Sequence, residues 1–324
     1  MSQRVTVPSL KMILDLGAAQ EIAGGSGGEG TVYRIDSSRV IKVFHDPEKQ
    51  KAKSANLAKA FSQKDNPWQK LRNFATVPEY LAENDKGQVV GYLMQNCEGW
   101  FELNELYAEN PDLGLKTVLM AFGKIHRALS ASHDQGFIVG DLNGRNILIS
   151  AFDASMQVRI IDTDSWGIKR PDLGLLYGPS ALDPEVAHPE RLIAQEQSKQ
   201  LPPFSSKHDW WAFTYLMTKC LTKRDPFEQG DFWALGAEER RKAGLTTIHS
   251  GVNLGSPENY ALHLRIGIAL KHLLKRWLSC SEEGIFPFLL IESAMNEIIR
   301  CPRCKEEVNG RLTVCPFPNC AKLL

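Results

Sequence analysis

The sequence predicts an α+β fold in two unequal parts, a small β-rich lobe followed by a larger helical one, with a small cysteine-bearing module after them. Three observations carry this reading. Up to about residue 98, short apolar stretches alternate with turn residues, as strands in hairpins do. From residue 113 to 135 apolar side chains recur at helical spacing, and further helical segments follow from about residue 207 to 299. Four of the seven cysteines crowd the last 24 residues. The expected divisions are an extension over residues 1–18, the β-rich lobe over 19–98, the helical lobe over 99–299 and the cysteine module over 300–324.

Taken in order, residues 20–25 (QEIAGG), 31–36 (TVYRID) and 39–44 (RVIKVF) read as strands, the last two joined by an Asp36-Ser37-Ser38 turn. After Pro47, a residue type suited to a helix start, residues 48–64 are dominated by Ala and Lys and read as a helix. Residues 80–84 and 88–94 form a second hairpin around Asp85-Lys86-Gly87. In the long helix, Leu115, Val118, Leu119, Phe122, Ile125 and Leu129 mark the core face. Two short strands follow, at 147–150 and 158–162.

Composition narrows the function classes. Thirty-eight basic residues balance thirty-eight acidic ones, so net charge supplies no general pull toward nucleic acid or an anionic membrane. No apolar run approaches the roughly 18 residues of a spanning helix. Asp15, Gln20 and Glu21 interrupt the apolar stretches of the first 25 residues, so no signal-peptide core is expected there. The expectation is a cytoplasmic globular protein.

Residues 25–32 fit G-x-G-x-x-G-x-V through Gly25, Gly27, Gly30 and Val32. A dinucleotide-binding loop would lead into a helix; here β-favouring TVYRI follows, so the glycines join two strands. Such a flap lets backbone N–H groups approach phosphates. Lys42 lies 17 residues after Gly25, inside the apolar run 40–44, where a lysine is costly to bury without an anionic partner. Asp141 and Asn146 stand five residues apart between a helix and a strand, and Asp162 ends the next strand. A carboxylate at an acceptor hydroxyl and hard oxygen ligands for Mg²⁺ are what phosphoryl transfer requires.

This ordered set resembles the bacterial protein kinases of eukaryotic (Hanks) type, over about residues 19–299. More narrowly, VGDLNGRNILIS followed by IIDTDSW is similar to the kinases of the TerY-phosphorylation triad, in which a kinase appears beside a von Willebrand A-type protein and a PP2C-type phosphatase. The resemblance implies a two-lobed protein-kinase-like fold, a serine/threonine kinase activity on protein, and ATP with Mg²⁺ or Mn²⁺. It assigns Gly25, Gly27 and Gly30 to the phosphate flap, Lys42 to the phosphates, and Val32, Val40 and Leu148 to the adenine ring. Asp141 then handles the acceptor hydroxyl, and Asn146 and Asp162 hold the metal. His188-Pro189-Glu190 matches the end of the activation segment, with Asp183-Pro184-Glu185 competing for the role, and Asp209 matches an aspartate that ties back to the catalytic loop.

Departures from the family pattern are equally specific. Gly140 replaces an arginine before Asp141. Asn143 replaces a lysine, leaving a side chain that can hydrogen-bond the acceptor or phosphate with less electrostatic stabilisation. Asp164 stands where a glycine is usual, which narrows the backbone's freedom. Residues 57–62 contain no acid to pair with Lys42, so Glu48, Asp65 or Asp162 must serve. Two alternatives stay open: a weak or inactive nucleotide-sensing scaffold, motivated by the missing acid, and a small-molecule phosphotransferase of the same fold, motivated by Gly140 and Asn143.

Cys301 and Cys304, then Cys315 and Cys320, give C-x₂-C, ten residues, C-x₄-C. Two thiolate knuckles can close a tetrahedral Zn²⁺ site, and so short a segment needs such a staple. The module resembles a zinc ribbon with a structural ion, suited to protein contact or stability rather than nucleic acid. For the isolated Cys97, Cys220 and Cys280 buried packing is expected.

Overall fold

The structure, a computed structural model, describes residues 4–26, 28–46, 48–62, 66–108, 113–168, 183–228, 235–248, 264–317, 320 and 324. Strands β1 (Arg4–Val7), β2 (Met12–Asp15), β3 (Glu21–Ser26), β4 (Gly30–Arg34), β5 (Arg39–Phe44), β6 (Tyr80–Glu83) and β7 (Val89–Gln95) form one antiparallel sheet in the order β2-β1-β6-β7-β5-β4-β3. The β4–β5 turn is set by Asp36, whose Oδ1 accepts from the backbone N–H of Ser38 and Arg39 at 2.8 Å each. Among residues 4–18, expected as an N-terminal extension, two strands join this sheet. The hairpin β1–β2 joins the sheet through Thr6 opposite Glu83, and Val5, Val7 and Leu16 enter the apolar cluster of Ile41, Val43, Ala82 and Leu93.

Helix α1 (Lys51–Phe61) begins later than residue 48 because Asp46 first accepts from the backbone N–H of Glu48 and Lys49. Pro47, read as the helix start, lies outside the described residues. Leu57 on the inner face of α1 packs with Phe44 of β5 and Tyr92 of β7.

Among the described residues, seven further helices build the second half: α2 (Leu103–Ala108), α3 (Leu115–Asp134), α4 (Pro189–Glu196), α5 (Ser206–Thr222), α6 (Ala237–Lys242), α7 (Ile268–Leu278) and α8 (Phe288–Asn296). They surround the largest apolar cluster, into which α3 sends all the positions its periodicity marks and α5 sends Trp210, Trp211 and Phe213. None of the described helices is long and apolar enough to cross a membrane. Short strands β8 (Phe101–Glu102), β9 (Phe137–Ile138), β10 (Ile147–Ile149), β11 (Val158–Ile160) and β12 (Gly167–Ile168) pair as β11-β10-β8 and β12-β9. These pairings fix both ends of two loops, 139–146 and 161–166.

The cysteine module folds around β13 (Ile298–Arg300) and β14 (Glu307–Asn309) and rests on the helices. Glu307 Oε2 accepts from the Lys116 backbone N–H at 2.8 Å, in the first turn of α3, where the helix leaves its N–H groups without internal partners. Asn309 Nδ2 and the Gly310 N–H both donate to Glu297, at the end of α8. Replacing Glu307 with Ala should lower unfolding free energy by about 1 kcal/mol, the usual worth of a lost helix cap. Urea titration of the two proteins measures it, and an unchanged midpoint would show that the module does not brace α3.

Candidate functional site

A cleft of about 570 Å³ opens between the sheet and the helical half. Gly30, Val32, Val40, Lys42, Leu148, Asn146 and Asp162 line it, together with Met94 and the half-buried Cys97. Val32 and Val40 on neighbouring strands and Leu148 on β10 give it an apolar wall. Gly30 is required sterically: a Cβ there would meet the Val43 carbonyl oxygen at 2.6 Å. Gly25 lies within β3, and Gly27 lies outside the described residues.

The opposite wall is ionic. Lys42, buried in the middle of β5, forms a close ion pair with Asp162 and a second with Asp164 Oδ1 at 2.9 Å. Asp164 has no exposed surface; Tyr92 Oη also donates to its Oδ1, and Lys53 Nζ of α1 lies 3.0 Å from its Oδ2. Burial alone would raise the Asp164 carboxyl. The ammonium groups of Lys42 and Lys53 outweigh burial and hold it well below the usual carboxylate range. Asp162 moves the other way, raised by burial and by the charge of Asp164 despite Lys42. Its backbone sits in the left-handed region, φ 60° and ψ 38°, a conformation uncommon outside functional or tightly held positions.

The partner of Lys42 is therefore not where the sequence pattern seeks it. Glu48 stays in the turn before α1, Asp65 lies outside the described residues, and α1 presents Lys53 to the site. Asp162 pairs as one of the expectations had it, and Asp164, read only as a replaced glycine, supplies the second acid.

Beside the cleft, the loop 139–146 is pinned from below. Asp209 of α5 accepts from the backbone N–H of Val139 at 2.9 Å and of Gly140 at 2.7 Å, and His133 Nε2 lies 2.8 Å from the same carboxylate. Gly140 has φ +71°, so the arginine of the family pattern would be strained there. Asn143 shapes the loop: its Oδ1 accepts from the N–H of Arg145 and Asn146, and its Nδ2 donates to Asp141 Oδ1 at 3.1 Å. Asn146 Nδ2 donates to Asp141 Oδ2 at 3.0 Å, so its oxygen is the atom it can offer a cation. The Ile161 N–H donates to the Asn146 carbonyl at 2.9 Å, which seats Asp162 next to it. Burial lifts the Asp141 carboxyl above its usual range, against the hydrogen bond from Asn143 and aided by the carboxylates of Asp183 and Asp162. Asp183 also pairs with Arg145 at 3.2 Å, while Glu190 binds Lys207 and His208 and so joins α4 to α5.

A second candidate centre is the cysteine module. Cys301 and Cys320 sulfurs are 3.4 Å apart and those of Cys304 and Cys315 3.6 Å. A tetrahedral zinc with Zn–S near 2.3 Å sets its sulfurs about 3.8 Å apart, whereas a disulfide needs about 2.05 Å. The group can hold a structural metal such as zinc. Burial would raise the Cys301 thiol, but the N–H groups of Cys304 and Arg303 draw it down to about 6, whereas burial raises the Cys304 thiol and lifts that of Cys315 to about 12. Of the isolated cysteines, Cys220 is buried as expected, while Cys97 and Cys280 keep partial exposure.

No protein-family model matches the chain, and no curated protein matches it either.

Two outcomes follow from this geometry. Because Asp164 is depressed in the folded state, its stabilisation is present above the unfolded value of 3.8 and lost as pH falls below it. Asp164→Asn should cost roughly 3 kcal/mol at neutral pH, and the gap to wild type should narrow in urea titrations below about pH 4; a constant gap would mean the carboxylate is not ionised when folded. Metal analysis should find zinc at about one ion per chain, and Cys304→Ser should lower both zinc content and thermal midpoint. Full zinc content in that variant would remove Cys304 from the site.

Proposed function

We propose that the chain is an ATP- and Mg²⁺-dependent serine/threonine protein kinase of the bacterial Hanks type, transferring the γ-phosphoryl group of ATP to a protein hydroxyl. One observation carries the reading: a single cleft brings Val32, Val40 and Leu148 together with Lys42, Asn146 and Asp162, and the loop beside it carries Asp141. A ligand with a flat apolar end and a polyanionic end suits such a cleft.

In this reading the base enters between Val32, Val40 and Leu148, and Lys42 meets the phosphates. The Mg²⁺ held by Asn146 and Asp162 would neutralise charge on the transferred group. Asp141 orients the acceptor hydroxyl and takes its proton while the oxygen bonds to the γ-phosphorus and the bond to the ADP oxygen breaks. A carboxyl lifted by burial is a better base than an exposed one, and the hydrogen bonds from Asn143 and Asn146 keep it aimed. Asn143 is already engaged by the loop, so we assign it loop shape and the orientation of Asp141 rather than a phosphate contact. The two-lobed kinase fold, a cytoplasmic setting, a structural zinc and association with a von Willebrand A-type protein and a PP2C-type phosphatase belong to the same reading.

One observation favours the nucleotide-sensing scaffold as a second reading. Lys42 and Lys53 are already compensated by carboxylates, which leaves less positive charge to stabilise a phosphoryl group in transfer. Incubation with γ-labelled ATP and Mg²⁺ separates the two. Wild type should place label on serine or threonine, and Asp141→Asn should reduce transfer by about 10² to 10⁴-fold with nucleotide still bound. Undiminished transfer would overturn the role of Asp141; bound ATP without transfer by wild type would favour the scaffold.

A further inference from the structure

Lys53 stands on α1 and is doubly engaged. Its Nζ lies 3.0 Å from Asp164 Oδ2 and forms a close ion pair with Glu29 Oε2. Glu29 belongs to the glycine-rich turn between β3 and β4 and lines the cleft. Asp164 Oδ1 already receives Lys42 and Tyr92. No described residue donates a hydrogen bond to Oδ2, so among the described residues the ammonium charge of Lys53 is what compensates that oxygen. One side chain thus links the turn at the cleft's edge to the buried carboxylate that fixes Lys42 on its wall.

A glycine-rich turn has few side chains to hold it in place and loses much conformational freedom when it closes on a ligand. A charge-assisted contact from a packed helix offsets that loss. The charge balance points the same way. Glu29, Asp162 and Asp164 bring three formal negative charges against two positive ones from Lys42 and Lys53, a net of −1. Without Lys53 the same wall would carry −2 and would repel phosphates more strongly.

We propose that Lys53 is a positioning residue for the anionic end of the nucleotide, holding Glu29 in place at the cleft's edge and keeping Lys42 directed at the phosphates through Asp164. This rests on the nucleotide reading of the cleft. Lys53 is not among the residues that line the cleft, so it acts through Glu29 and Asp164 rather than by touching the ligand. The role deepens that reading: the helix contributes a cation and the segment after β11 contributes the acid, the reverse of the arrangement the sequence pattern suggests.

The test compares two ligands on the full chain by calorimetric titration, Mg·ATP and adenosine, with a thermal midpoint taken for every variant. Lys53→Met should weaken Mg·ATP binding about 10-fold or more, within the usual range of coupling between sites, while adenosine changes less than about twofold. Lys53→Arg should restore Mg·ATP binding. Glu29→Gln, a change to a partly exposed side chain that leaves the core untouched, should weaken Mg·ATP in the same direction, and the double variant should lose less than the product of the two. Equal losses for both ligands would reduce Lys53 to a structural part. Unchanged Mg·ATP binding, or tighter binding by Glu29→Gln, would overturn the proposal while leaving the nucleotide reading intact. Wild type that binds neither ligand would overturn the nucleotide reading itself, and the proposal with it.

Discussion

A carboxylate with no access to water must be compensated inside the protein, and Asp164 draws on three elements at once. Lys42 comes from β5, Tyr92 from β7 and Lys53 from α1. Each of those groups would itself be costly to bury alone. Lys42 needs an anion because it points inward from an apolar strand, and Tyr92 needs an acceptor because its ring packs with Phe44. The sheet, α1 and the segment after β11 are therefore held in one arrangement by mutual necessity. Removing any member leaves the others buried and incompletely paired, and such networks usually stand or fall together.

Below the cleft a different device holds the chain, built on backbone N–H groups. Asp209 gathers two backbone N–H groups and the His133 ring, so the chain from α3 into the loop 139–146 can turn only one way. Gly140 supplies the positive φ which that turn demands. Asn143 then closes the loop on itself, and Asp141 is presented with both carboxylate oxygens hydrogen-bonded to amides. The ionic network sets what sits opposite the loop, and the loop sets what faces the network. Their meeting point is Asp162, beside Asn146 on one side and paired with Lys42 on the other.

Much of this was readable from local pattern. Strands β3 to β7 and helix α3 follow alternation and helical period, and the cysteine spacing marks a group able to hold a metal before any fold is known. The hairpin β1–β2 was not readable, because two short strands flanking Pro8 become strands only by pairing with β6 and burying Val5 and Val7. Asp164 escaped for a related reason. Its position in the pattern marks it only as a replaced glycine, whereas its role depends on Lys42, 122 positions away. A local signal did exist: a second acid two residues after Asp162, within a stretch otherwise bound for the core. Lys53 offered none, since it lies among several lysines of the same helix and only the fold selects the one that turns inward.

The cysteine module belongs mechanically to this same system rather than hanging from it. Glu307 accepts from the first turn of α3, and the far end of α3 carries His133 and leads through β9 into the loop held by Asp209. A helix is stiff along its axis, so support at its start constrains where its end delivers the chain. Antiparallel pairing joins β13 to β14, the four cysteine sulfurs gather beside them, β14 carries Glu307, and Glu307 holds α3. A metal bound by those sulfurs would strengthen that brace on the helix leading toward Asp141, and so would couple the cysteine group to the geometry of a site built entirely from other residues.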